Sequence, residues 1–507
     1  MKKLLLSATV VAGLFAQPTI DSLQKQINEL QQQLKELKAK QDTQNDRYYK
    51  KVAPIVANSH LYWNYDLRTT YDAIFHETTD GMGVTSVKPD FVTGKTYYTF
   101  APVKGKKTNN HIFTNRVILT GVYKPSDNLK ATVRVQANNM FGNSDADNMM
   151  TNPFQNLPWI ANETPDDVQI RLKEAFFNYY FGDDFMFSAG RRPATNGFPA
   201  NLREGDQPAS PLAHLINMEF DGFSFEIGNG EFSKISDKFG DWGTWMKFCA
   251  GRGYSSATGK WPSDSSAPYS RNDMLKNMDF AGFIFVPYDN GQYSLWTETV
   301  WAWHVQGNQF NITGVDPNKG TMNATASMAD FGNYFGENII FKADGIGDGI
   351  SDFLDDTKAF ISYGISKTKT NGNDIIQNYP TPMGYVNIAA EDHTGHSWWI
   401  GADMPGFKDG DRFGINYVKG SKYWRNFTYG EDTLGGSIAS VRGKAFDVYY
   451  NTEIIPHLTA GLRYTYIKYD YPGSDGFFGV MMDPEMADKF SHVEKTKDIR
   501  AYIRYNF

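Results

Sequence analysis

Residues 499–507 alternate without interruption between apolar and polar side chains. Ile499, Ala501, Ile503, Tyr505 and Phe507 fall on one face of a strand, and Arg500, Tyr502, Arg504 and Asn506 fall on the other, because successive strand residues point to opposite sides. An apolar strip backed by a charged one suits a barrel wall with hydrocarbon outside and water inside. A terminal strand in an aqueous protein can carry the same pattern. Residues 59–71 repeat it, with Leu61, Trp63, Tyr65, Leu67 and Tyr71 against His60, Asn64, Asp66, Arg68 and Thr70. In 129–138, Leu129, Ala131, Val133, Val135 and Ala137 oppose Lys130, Thr132, Arg134, Gln136 and Asn138. Further strands are expected at 110–124, 171–181, 185–192, 214–228, 244–254, 278–288, 292–305, 335–343, 357–368, 396–404, 412–424, 442–454, 458–470 and 497–507. A total of about sixteen predicts an all-β, transmembrane antiparallel barrel.

The connections sort by length. Every second one is short and turn-like: Pro125-Ser126-Asp127-Asn128, Gly182-Asp183-Asp184, Asp289-Asn290-Gly291, Lys408-Asp409-Gly410-Asp411 and Pro456-His457. The intervening ones, such as 73–109, 139–170, 369–395 and 471–496, are long and rich in Gly, Asn and Asp. Short turns on one side and long loops on the other are expected of a membrane barrel, whereas a soluble sandwich has no reason to sort loop length by parity. Two connections on the short side are longer, 229–243 and 344–356. The second runs Asp344-Gly345-Ile346-Gly347-Asp348-Gly349 to Asp355. It is similar to a calcium loop but has Ile346 where an oxygen ligand belongs, so an acidic, solvated turn is the preferred reading.

A different period governs the N-terminal region. Met1-Lys2-Lys3 followed by an apolar run from Leu4 to Ala16 reads as an export signal, residues 1–16, too short to span a bilayer. In residues 17–48, Ile20, Leu23, Ile27, Leu30, Leu34 and Leu37 recur at spacings of three and four. This a/d seam predicts a coiled coil that joins subunits in the periplasm; an amphipathic helix lying on the barrel is the alternative. At 1.5 Å per residue, residues 20–44 would span about 37 Å. The barrel then occupies 49–507.

Composition narrows the class. The chain combines 15% aromatic residues with a mean hydropathy of −0.49, too polar for stacked transmembrane helices but compatible with strands whose apolar residues alternate. The single cysteine, Cys249, excludes an internal disulfide. A formal charge of −7 gives no support for nucleic-acid binding. The nine histidines show no nucleophile–base pairing, so no enzymatic activity and no cofactor are expected. His393 and His396 stand near Glu391 and Asp392, a pattern common by chance and read as a solvated loop with no metal.

The final strand, ending at Tyr505 and Phe507, resembles the C-terminal signature of bacterial outer-membrane barrels, which implies recognition by their assembly machinery. The segment 174–184, Glu-Ala-Phe-Phe-Asn-Tyr-Tyr-Phe-Gly-Asp-Asp, followed by Ser188-Ala189-Gly190-Arg191-Arg192-Pro193, looks like the central hairpin of porin-like outer-membrane proteins. With Asn196-Gly197-Phe198-Pro199-Ala200-Asn201-Leu202-Arg203 and Gly420-Ser421-Lys422-Tyr423-Trp424, the chain resembles a porin-like family that carries an N-terminal coiled coil. Its order of parts also resembles the phosphate-selective porins, which implies a trimer. The basic ladder that would select phosphate is not evident, because Arg and Lys are interspersed with Asp and Glu.

Passive diffusion of small hydrophilic solutes or ions across the outer membrane is therefore the expected function. A structural or adhesive barrel tethered through its coiled coil is the alternative. The segment 192–211 lies where porins often fold a loop into the channel, so Arg191, Arg192, Arg203, Glu204 and Asp206 are candidates for a constriction. Wall-holding salt bridges are the competing role for those arginines. Asp66, Arg68, Arg134, Asp447, Glu453, Arg463, Arg500 and Arg504 are expected to line the pore. Replacing Ile27 and Leu34 with Lys would place unpaired charges in the coiled-coil seam. The expected outcome is a weakened oligomer with an intact barrel, measured as particle mass in detergent.

Overall fold

The computed structural model describes residues 61–90, 95–141, 170–209, 211–259, 269–271, 275–347, 349–428, 431–473, 477–479 and 483–507. The expected signal and coiled coil lie outside these residues. In chain order the strands begin with β1 (Leu61–Thr78), β2 (Gly81–Asp90), β3 (Lys95–Val103), β4 (Lys107–Ser126), β5 (Leu129–Met140), β6 (Ile170–Phe181), β7 (Phe185–Arg192) and β8 (Phe220–Ile227). They continue with β9 (Trp245–Tyr254), β10 (Ala257–Gly259), β11 (Tyr269–Arg271), β12 (Met278–Asp289), β13 (Tyr293–Trp303), β14 (Gln306–Asp316), β15 (Thr321–Asp330) and β16 (Gly332–Asp344). The last are β17 (Lys358–Thr370), β18 (Asp374–Thr381), β19 (Gly384–Ala389), β20 (Thr394–Pro405), β21 (Arg412–Gly420), β22 (Gly443–Ile455), β23 (Leu458–Tyr469) and β24 (Val493–Asn506).

Sixteen of these strands form a closed barrel, with β24 pairing antiparallel to β1. Each of the sixteen segments marked by alternation contains a barrel strand. Two are shorter than their pattern: β8 begins at Phe220 and β21 ends at Gly420, because residues 212–219, 421–428 and 431–442 leave the wall and turn inward. At Gly420 a Cβ would lie 1.8 Å from the Val441 carbonyl oxygen, so only glycine permits that close crossing. The parity of connections also holds. Short turns join β4 to β5, β6 to β7, β12 to β13 and β22 to β23, while the other end carries the long connections.

Alternation decides which side chains face out. Trp63 is 59% exposed and Leu462 56%, whereas Asp66, Arg68, Asp72 and Arg500 are buried on the inner face. The long connections hold strands that the sequence pattern did not mark. Hairpins β2–β3, β14–β15 and β18–β19 assemble a second sheet in the order β19-β18-β14-β15-β3-β2, joined where β14 runs parallel to β18. At the turn end, helices α1 (Asn229–Ser233) and α2 (Asp237–Asp241) fill the β8–β9 connection, and α3 (Asp352–Asp355) fills β16–β17. Asp355 thus belongs to a short helix capped by Ser351.

The lumen is not lined by polar faces throughout. Leu215, Ile216, Met218, Trp424, Phe427 and Phe477 pack against the wall residues Phe280, Val300, Ala302 and Tyr334, and this cluster continues to Phe100, Phe310 and Met322 of the loop sheet. A second cluster joins Leu212, Ala213, Ile438 and Val441 to Ile340, Phe360, Trp399 and Val418. Along this arc, apolar side chains occupy both wall faces because the inner face meets protein and not water. Phe427 anchors the packing with its ring against Phe280, Tyr334 and Phe477. Phe427→Ala should destabilise the inward segments by about 3–5 kcal/mol. Unfolding in urea, followed by tryptophan fluorescence, should show an earlier transition while the barrel persists.

Candidate functional site in the barrel lumen

The remaining arc of the lumen is charged. Arg68 of β1, Arg116 of β4, Arg134 of β5, Arg463 of β23 and Arg500 and Arg504 of β24 all sit at inward positions. Two inward segments meet them with carboxylates. A short 3-10 turn, Ala200–Glu204, closes on Gly205 in the left-handed region at φ +70°, which presents Arg203, Glu204 and Asp206. The second segment supplies Glu431 and Asp432.

The pairing is dense. Arg68 Nη1 lies 2.6 Å from Glu204 Oε1, and its Nη2 also meets Asp432. Arg116 Nη1 reaches Asp432 at 3.0 Å, and Arg504 Nη2 reaches Asp206 at 2.6 Å and Asp66 at 2.7 Å. Arg500 Nε donates to Asp72 at 2.6 Å. Arg203 bridges Glu431 at 2.8 Å and Asp447 at 2.9 Å, which locks the two inward segments to β22. Lys173 pairs with Glu219 at 3.0 Å, and Arg134 with Glu174 at 2.6 Å.

Burial alone would raise the Glu204 carboxyl, but Arg68, Arg116 and Arg504 outweigh it and hold Glu204 well below the ordinary carboxylate range. Asp432 is lowered in the same way, burial being overcome by Arg68, Arg500 and Arg116. Both stay ionised at neutral pH. Beside them lies a cavity of about 340 Å³ lined by Asp66, Arg116, Arg134, Arg463 and Arg504 from the wall and by Arg203, Glu204, Asp206, Glu431 and Asp432 from the inward segments. A second cavity of about 500 Å³ lies toward the loop end, between His76, Leu434, Tyr469, His492 and Thr496.

Of the proposed constriction residues, the structure brings together Arg203, Glu204 and Asp206 only. Arg191 shares the outward face with Phe187, where it pairs with Asp221 at 3.5 Å, because alternation sends it opposite to Arg192. Arg192 faces inward but lies over the Phe176 ring, away from the charged cavity. Asp66, Arg68, Arg134, Asp447, Arg463, Arg500 and Arg504 all face the lumen. Glu453 is exposed at the turn end and accepts the His457 amide at 3.1 Å. Tyr505 and Phe507 face outward, and Phe507 exchanges backbone hydrogen bonds with Tyr65 at 2.8 and 2.9 Å. His393 stacks on Tyr423 while His396 bonds Tyr363 at 2.7 Å. Among the described residues, no group of three or more His, Cys, Asp or Glu is arranged to hold a metal.

Sequence reasoning passed over Arg116 and Asp72, which the inward parity of their strands would have marked. Glu431 and Asp432 carry no such signal, being in a connection. It also missed His214, which fixes the inward segment on the opposite wall. Its Nδ1 lies 2.8 Å from Ser362 Oγ and its Nε2 2.9 Å from Ser397 Oγ. Ser362 donates onward to Asn338 at 2.7 Å, so it accepts from Nδ1–H, and Nε2 accepts from Ser397. Both ring nitrogens are used by the neutral form.

Residues 106–507 match the family model described as "Protein of unknown function (DUF3373)". The chain belongs to the DUF3373 family. That match begins at β4 and runs to the last residue, so it spans most of the wall and both inward segments. A comparison with curated protein sequences found no match. Among solved structures, the DUF3373 chain is similar to an anion-selective porin from Comamonas acidovorans, with 11% identity, a TM-score of 0.43, and 89% of this chain and 100% of that one covered. It is also similar to OprB of Pseudomonas putida, at 10% identity and TM-score 0.43, covering 88% and 94%. Salmonella typhi OmpF gives 10% identity and TM-score 0.41, covering 88% and 97%.

Burial lowers His214 to about 3, against about 6.5 in an unfolded chain. Between those values the unfolded DUF3373 chain binds a proton that the folded one refuses, so stability is full above pH 6.5 and falls as pH drops toward 3. His214→Gln, which still offers a donor and an acceptor, should flatten that dependence. Urea midpoints at pH 7.5 and pH 5 for both proteins provide the measurement.

Proposed function

We propose that this DUF3373 protein is an outer-membrane channel that lets small hydrophilic solutes or ions diffuse passively through its barrel. The observation that carries the reading is the charged cavity, held between wall arginines and the carboxylates of the 200–206 and 431–432 segments, inside a barrel with an apolar outer face. Fixed charges of both signs along a lumen set which ions pass. In this reading residues 1–16 direct export, 17–48 form a periplasmic coiled coil, and 49–507 reach the outer membrane through assembly machinery that reads Tyr505 and Phe507. Subunits join as a trimer, and the protein performs no covalent chemistry.

A structural or adhesive role is the second reading. Apolar packing across part of the lumen and the extra sheet at the loop end favour it. Planar-bilayer recording separates the two. Purified protein should give discrete channels, and Glu204→Gln with Asp206→Asn should shift the reversal potential toward anions. Arg203→Gln should shift it toward cations, while Arg191→Gln, on the outer face, should leave it unchanged. Well-assembled protein without channels would overturn the channel reading.

A further inference from the structure

The wall arginines are not equally satisfied. Arg68, Arg500 and Arg504 each meet carboxylates within hydrogen-bonding distance. Arg463 does not. It is only 5% exposed, yet its ion pair runs from Nε to Asp447 Oδ2 at 3.9 Å, too long for a hydrogen bond. Its Nε has no hydrogen-bond partner among the described residues. Asp447 is already committed, accepting from Arg203 at 2.9 Å, Thr465 at 2.7 Å and Asn416 at 3.2 Å. Directly across the ladder, the residue opposite Arg463 is Arg500, a like-charge pair that opposes the fold. Arg463 lines the 340 Å³ cavity, so a buried guanidinium with no close partner borders space of small-molecule size.

We propose that Arg463 is the recognition point of the lumen for a small, singly charged hydroxy-carboxylate, a site that rests on the channel reading and names its solute class. The planar fork of a guanidinium matches the two oxygens of a carboxylate. The other lining cations Arg116, Arg134, Arg203 and Arg504 are each paired with carboxylates, which leaves one guanidinium for one negative charge. The amides of Asn64, Asn196, Gln207 and Asn217, on the same lining, suit hydroxyl groups. A bound carboxylate would neutralise Arg463 and relieve its opposition to Arg500.

The test uses full-length protein in detergent, with lactate as the probe, its neutral isostere lactamide, and sulfate as a divalent anion. Titration calorimetry should show lactate binding, little for lactamide and weaker binding for sulfate. Arg463→Gln should weaken lactate binding about tenfold or more. Because Arg463 has no close partner to lose, the ligand-free variant should unfold at or above the wild-type temperature. Lactate should raise the unfolding temperature of the wild type only. Arg463→Lys, which keeps the charge without the fork, should bind with intermediate affinity. Equal binding of lactamide, tighter binding of sulfate, or unfolded protein from both variants would each overturn the site. Channels without lactate binding would reject the site and leave the channel reading intact; lactate binding without channels would reject conduction instead.

Discussion

Most of the buried arginines on the charged arc of the wall are met by carboxylates, and the interior of this barrel is arranged around that pairing. The guanidinium does not lose its proton at any ordinary pH, and burying it without a partner is strongly unfavourable. Arg68 is 1% exposed, and its carboxylates come from Glu204 and Asp432, which lie 136 and 364 residues away in the chain. Meeting that requirement draws two connections into the lumen against the same arc of wall. Once there, their remaining residues need cover of a different kind. Leu212, Leu215, Phe427 and Ile438 find it on the far arc, where Phe280, Ile340, Phe360 and Trp399 face inward. The barrel interior is thus divided into an ionic half and an oily half by the chemistry of two segments.

Those segments are held on both sides. His214 fixes one strap to β17 and β20 through Ser362 and Ser397, while Glu204 fixes its other end to β1. Arg203 then ties that strap to the 431–432 segment and to β22. The cavity walls are therefore positioned by short charge-assisted bonds and by packing. In the proposed channel, such preorganisation would let fixed charges act on a solute without first rearranging.

How much of this was legible follows from which forces are local. The wall was readable because alternation is written residue by residue: Trp63 and Leu67 against Asp66 and Arg68 reveal their faces without knowledge of any partner. Connection lengths likewise reported the two ends. The oily arc was hidden, since Val418 and Trp399 lie on strands with apolar residues on both faces and period two loses its contrast there. Arg203, Glu204 and Asp206 could be singled out from their place after the central hairpin. Their counterpart Asp432 could not, because nothing near it in sequence records Arg68. Arg191 and Arg192 show the cost of reading adjacency as proximity, since neighbouring strand residues point to opposite sides of the wall.

The loop sheet has a consequence for the order in which the chain gains structure. Its members come from three connections, and Thr99 of β3 meets Asn323 of β15 across 224 residues. Bringing such distant segments together from a free chain carries a large loop-closure entropy. The wall reduces that entropy by anchoring both ends of each hairpin at one rim. Pairing of the flanking wall strands therefore makes the cross-hairpin ladder easier to form after those strands meet than before. Apart from one another the hairpins are two-stranded units, each too small to be stable alone, so the six-stranded sheet depends on the wall strands that bring its three hairpins to one rim.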